Sequence, residues 1–169
     1  MDGAIALIRE VYGELSELWK GFCEKHMDLF SITCDEYALL LSNDIDDLEV
    51  LLKRKDEIIN EIKILELRRR DIIEFINNSK LFETKISSAG ELLLQLQKYE
   101  EKMQERHLFR YNALLLDVID KIRTQNKKTQ MYLNKSLISI REIREGIMGK
   151  KECKIYNANG MTSAATNKR

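Results

Sequence analysis

Proline is absent, glycine occurs only seven times, and aromatic residues make up 7% of the 169 residues. Sandwiches, barrels and doubly wound sheets need a tight turn roughly every ten residues, and those turns draw on Gly and Pro. No glycine stands between Gly21 and Gly90, or between Gly90 and Gly146. Stretches with so little punctuation predict long helices. Long hydrophobic runs are missing as well. Apolar runs such as Tyr37–Leu41 stop at five residues, far short of the roughly 20 that span a membrane, so no stable membrane insertion is expected. Met1-Asp2-Gly3 lacks the basic flank and apolar core of a secretion signal. Cys23, Cys34 and Cys153 are too few and too scattered for a disulfide framework. They suit a reducing compartment, here the cytoplasm.

What is present suffices for one domain with a tail. Hydrophobic residues make up 44% and charged residues 33%, so a packed interior can form. Net charge is zero but uneven. Residues 1–120 hold 16 basic and 25 acidic side chains, a net charge of −9, and residues 121–169 hold 12 basic and 3 acidic, a net charge of +9. An acidic body with a basic C-terminal third suggests two different jobs. No recognition motif accompanies the basic end, so no nucleic-acid partner is expected.

The apolar spacing predicts an all-α fold, an antiparallel, coiled-coil-like bundle of three long helices with a C-terminal overhang and a mobile tail. In the first segment, about residues 4–42, Ala4, Ile8, Val11, Leu15, Leu18 and Phe22 share one helical face. Thr33-Cys34-Asp35-Glu36 reads as a capping box, so the segment is either one kinked helix or two helices end to end. Ser42-Asn43-Asp44 marks a turn, and Asp46 and Asp47 favour the positive end of a helix dipole. The second helix is placed at about 44–78. Its apolar residues, among them Leu48, Leu51, Leu52, Ile58, Ile59, Ile62, Leu65, Ile72, Ile73 and Ile76, fill three heptad columns, which suits two neighbours. Asn77-Asn78-Ser79 ends it, and Lys80 to Ile86 reads as a loop. The third helix is placed at 91–148, stopped by Gly146 and Gly149. At 1.5 Å per residue it is about 87 Å long, against about 52 Å for the second, so its last twenty-odd residues overhang or find another surface. Residues 1–148 form the bundle in this reading, with 126–148 its amphipathic end, and 149–169 the polar tail.

Catalytic chemistry is not expected. His26 and His107 lie far apart. Cys23, His26 and Cys34 lack the paired spacing of a zinc site, so neither metal nor cofactor is expected. Glu100, Glu101 and Glu105 read as solvated charge on an acidic face rather than as acid/base carboxylates. No Gly-rich phosphate loop exists. The overhanging segment says more. Leu133, Leu137, Ile140, Ile143 and Ile147 make an apolar stripe among Lys135, Arg141 and Arg144. Such a stripe serves helix-in-groove recognition, or else it packs on the first helix as core.

Several features recur together in one family. Glu36-x3-Leu40-Leu41-x2-Asp44-x3-Leu48-x6-Lys55-x2-Ile58-Ile59, followed by Leu65-Glu66-x2-Arg69, resembles the N-terminal signature of the FlgN-type flagellar export chaperones. Asn126, with Leu133 and Leu137 following, is similar to the family's last helix. Tyr156-Asn157-Ala158-Asn159-Gly160 resembles its Tyr-Gly-Ala-Asp-Gly-like tail motif, departing from it at Asn157 and Asn159. The resemblance covers roughly residues 15–162. It implies a cytoplasmic, non-catalytic, ATP-independent helical chaperone. Its amphipathic C-terminal region would bind hook-filament junction proteins of the FlgK and FlgL type, with Leu133, Leu137, Ile140, Ile143 and Ile147 as the client stripe. Tyr156, with Gly160 beside it, would dock the complex on the cytoplasmic domain of the FlhA-type export gate. The alternative is a structural coiled-coil adaptor or scaffold subunit whose third helix pairs with its own copy. The sequence leaves monomer and dimer both open.

Overall fold

The computed structural model describes residues 2–103, 107–148, 155–156 and 162–163. Four helices dominate: α1 (Asp2–Ser42), α2 (Ile45–Asn78), α3 (Ala89–Met103) and α4 (His107–Met148). The chain divides into two units, 1–127 and 128–169.

The first segment is one continuous helix. The predicted capping box at Thr33 does not form. Thr33 is fully buried and its hydroxyl donates back to the Leu29 carbonyl at 2.7 Å, a bond a threonine makes inside a helix. The apolar face that bridges this point therefore decides the local structure. Chemistry at the end of α1 is as the sequence predicts. Asn43 takes a left-handed φ of 57°. The Asp44 amide then reaches the Leu39 carbonyl at 3.1 Å, and the Asn43 amide reaches Leu40 at 3.4 Å. These two bonds satisfy carbonyls that the helix end would otherwise leave bare. Asp44 serves the next helix too, its carboxylate accepting from the Asp47 amide at 3.2 Å. Two residues thus close one helix and open the next, leaving only an antiparallel return.

Ion pairs fix the register of that return. Glu14 meets Arg68 at 3.0 Å, Lys25 meets Glu61 at 2.5 Å, and Glu36 meets Lys55. Exposed pairs contribute little stability, but the descending order of partners shows α2 running back along α1. Gly21 faces α2, where a Cβ would stand 3.6 Å from the Leu65 side chain, an ordinary contact. At the far end α2 stops by the same device as α1. Lys80 is left-handed (φ 51°), and the Leu81 amide bonds the Ile76 carbonyl at 3.4 Å. Leu81 packs on the core beside it. The loop that follows is anchored rather than free. The Asn77 side chain accepts from the Ile86 amide and donates to its carbonyl, both at 2.8 Å, and Ile86 is buried.

The expected single third helix is two helices, α3 and α4. Nothing in the local sequence marks the break, for neither Gly nor Pro lies near it. A buried carboxylate accompanies it: Glu100 of α3 accepts from the Leu108 amide in the first turn of α4 at 2.8 Å. That bond supplies one of the helix-start amides with an acceptor that the preceding turn would have given in a continuous helix. Within the first unit α4 advances beside α1 in the same direction. Leu108 stands level with Tyr12 through Glu100, and the Trp19 indole donates to Asn112 at 3.3 Å. Asn112 is thus the acceptor that lets Trp19 bury.

One core draws on every element of the first unit. Val11, Tyr12, Leu15, Leu18, Trp19 and Phe22 of α1 meet Ile72 and Ile76 of α2, Ile86 of the loop, Leu92 and Leu96 of α3, and Leu108 of α4. Of the predicted stripe on α1, Val11, Leu15, Leu18 and Phe22 are core and Ile8 is half-buried, while the side chain of Ala4 lies outside the described residues. The three columns on α2 are half-buried to buried, apart from Leu52, which is exposed. In the second unit, Ile155–Tyr156 and Thr162–Ser163 pair as two short antiparallel strands, with Tyr156 opposite Thr162.

Candidate functional site

The stripe predicted on the end of α4 is helical and uncovered. Leu133 is 41% exposed, Leu137 60%, Ile140 63%, Ile143 61% and Ile147 81%. None of the five is core. Met131, Ile138 and Met148 are exposed as well. Ile138 lies far round the helix from the stripe, so the apolar surface is broader than the single row read from the sequence. Met131 and Ile138 fall out of phase with the stripe, so periodicity does not mark them. The contrast with the first half of the helix is sharp. Leu108, Val118 and Ile122 are buried and Leu115 half-buried. Every residue from Leu137 to Met148 is exposed. A run of large exposed aliphatics on one helix exceeds the scattered apolar residues of an ordinary surface. Lys135, Arg141, Glu142, Arg144 and Glu145 are interspersed and exposed. Such charges keep an uncovered helix soluble.

The proposed docking residues fall elsewhere. The backbone of Tyr156 belongs to the short strand pair, and Gly160 lies outside the described residues. Cys23 and His26 have partners of their own. Cys23 is buried and its thiol donates to the Tyr111 carbonyl at 3.2 Å. Burial, then the charge of Glu24, pushes that thiol above its ordinary pKa, which leaves it a poor ligand and nucleophile. The His26 Nδ1 lies 2.7 Å from the Phe22 carbonyl of its own helix. No group of three metal-ligating side chains occurs among the described residues.

One of the three glutamates corrects the sequence reading. Glu100 is only 5% exposed, not solvated. Its Oε1 accepts from the Tyr12 hydroxyl at 2.8 Å as well as from the Leu108 amide. Burial, followed by this carboxylate, raises the Tyr12 phenol to about 12. Glu101 is exposed and accepts from Gln97 at 3.1 Å, and Glu105 lies outside the described residues. Glu100 is a structural tie between α1, α3 and α4, and the bonds it makes leave it no evident catalytic task.

The residues of the N-terminal signature have architectural duties. Glu36 and Lys55 form a partly buried pair across the hairpin, Asp44 caps α2, and Glu66 pairs with Arg69 at 2.6 Å. The FlgN protein family model matches residues 11–164. The chain belongs to the FlgN family, a chaperone family of flagellum assembly and not a family of enzymes. No curated protein and no solved structure matches the chain. Among the described residues no helix is long and apolar enough to cross a membrane.

Proposed function

We propose that the chain is a cytoplasmic type III export chaperone for hook-filament junction proteins of the FlgK and FlgL type, which it delivers to the FlhA-type export gate. The observation that carries the reading is the unbroken exposure of α4 from Leu137 to Met148, which includes Leu137, Ile140, Ile143 and Ile147 of the predicted stripe. An amphipathic helix of a client can lay its apolar face against such a surface, with anchors three and four residues apart. Client and chaperone then shield each other's adhesive surfaces until export. The test is a pull-down of the junction proteins with the full chain and with a chain lacking residues 126–169. Capture is expected with the first and loss with the second. Equal capture by both would place the client elsewhere. An obligate dimer on light scattering that persists without residues 126–169 would favour the scaffold reading instead.

Delivery is assigned to the tail. Tyr156 offers a rigid ring with one polar tip, which suits an anchor in a partner's pocket. Tyr156→Ala is expected to leave folding and client capture unchanged while weakening docking on the gate, and with it motility. Titrating the gate's cytoplasmic domain with the client-loaded protein measures this directly. Equal affinities for wild type and variant would remove the role from Tyr156.

A further inference from the structure

Residues 1–120 carry a net charge of −9, yet one cleft in the first unit is cationic. The C-terminal turns of α2 and the loop leading into α3 line a cavity of about 510 Å³. Arg69, Arg70 and Lys85 line it, and Glu74 is the one carboxylate beside them; Ile73 and Ala89 add apolar surface. The charges of Arg70 and Lys85 are not spent internally. Arg70 and Lys85 are exposed, and neither has an ion pair among the described residues. Arg69 gives one N–H group to Glu66, but its buried Nε has no hydrogen-bond partner. Native proteins satisfy nearly all buried donors, and an orphan calls for an acceptor. The start of α3 is not the source of the site, because it is already closed. Ser88 accepts from the Glu91 amide at 3.2 Å, and Glu91 accepts from the amide and hydroxyl of Ser87, both at 2.8 Å.

We propose that this cleft binds an acidic peptide segment of a partner protein, its carboxylates meeting Arg69, Arg70 and Lys85. The cavity volume falls in the range of ligand pockets, about 300–1,000 Å³, and far exceeds a single inorganic anion. Guanidinium groups pair with carboxylates in a two-pronged geometry. The aliphatic stems of a short acidic stretch match Ile73 and Ala89. The chain's own C-terminal third has the wrong sign, with a net charge of +9 over residues 121–169. The cleft is lined by residues within 69–89, whereas the proposed client stripe belongs to α4. It gives the protein a polar handle independent of its apolar one.

The test uses the full chain and a fluorescein-labelled hexapeptide of Glu and Ala, read by anisotropy at low ionic strength. Saturable binding is expected. Arg70→Glu with Lys85→Glu should weaken it about tenfold or more, since reversal removes two attractions and adds two repulsions. Arg54→Glu, an exposed reversal on the same helix away from the cleft, should change it less than about twofold. Circular dichroism should be unchanged in all three proteins. Absence of binding would overturn the proposal. So would equal loss in Arg54→Glu, which would mean diffuse attraction. Displacement of the peptide by equimolar inorganic phosphate would make the cleft a simple anion site and overturn the peptide assignment. Self-association abolished by the double reversal would make a second copy the occupant, and would overturn it likewise.

Discussion

Glu100→Ala is expected to destabilise the helical body by about 2–5 kcal/mol, measured by urea unfolding followed by circular dichroism. The carboxylate is buried and one of its oxygens takes two donors, the Tyr12 hydroxyl and the Leu108 amide, each at 2.8 Å. Alanine leaves both donors without an acceptor, on residues that are themselves buried. An unsatisfied buried group costs about 1–3 kcal/mol, and here there are two. Glu100→Gln keeps an oxygen in place and should lose much less. Adding Tyr12→Phe to Glu100→Ala should recover part of the loss, because one orphaned donor is removed with its partner. Alkali gives a second readout. The Tyr12 phenol is raised from 10.0 to about 12 in the folded state, so its contribution is intact below about pH 10 and is lost as pH rises toward 12. Tyr12→Phe should lack that component of the alkaline transition. A Glu100→Ala protein within about 0.5 kcal/mol of wild type would mean that the carboxylate is solvated after all.

That same residue marks the limit of what the sequence discloses. The ends of α1 and α2 are legible because their chemistry is local. Asn43, Asp44 and Asp47 sit within five residues of one another, and Asn77 to Ser79 lie at the close of α2. The core face of α1 is legible because Val11, Leu15, Leu18 and Phe22 repeat in steps of three and four. The break between α3 and α4 is not, since Glu100 and Tyr12 are 88 residues apart and no nearby Gly or Pro announces it. Thr33 shows the opposite error. Its local pattern is a good cap, but Ile32 beside it is buried, and packing keeps the helix running. Local chemistry wins at exposed chain reversals, and tertiary burial wins inside the body. The apolar stripe of residues 133–147 is visible as periodicity, but its exposure is not. Nothing in Leu137 or Ile140 as residue types distinguishes a covered aliphatic from an open one.

Leu137→Asp combined with Ile140→Asp is therefore the decisive pair of substitutions for the proposed client surface. The two side chains are 60% and 63% exposed in the free protein, and they lie three residues apart on one helical face. Covering one such side chain with a client helix is worth about 1.5–3 kcal/mol. Aspartate removes that gain twice and places two charges where a client's apolar face must sit, which costs further free energy unless they find partners. Client affinity should fall by more than about a hundredfold, as two lost anchors already exceed 2.7 kcal/mol. Stability of the free protein should shift by no more than about 0.5 kcal/mol, because exposed positions away from caps and core tolerate polar substitutes. The two measurements separate cleanly. Calorimetric titration with a junction protein reads the surface, and urea unfolding reads the body. Loss of both together would mean that residues 133–147 are packed in solution. Retained affinity in a folded double variant would move the client to another face of the molecule.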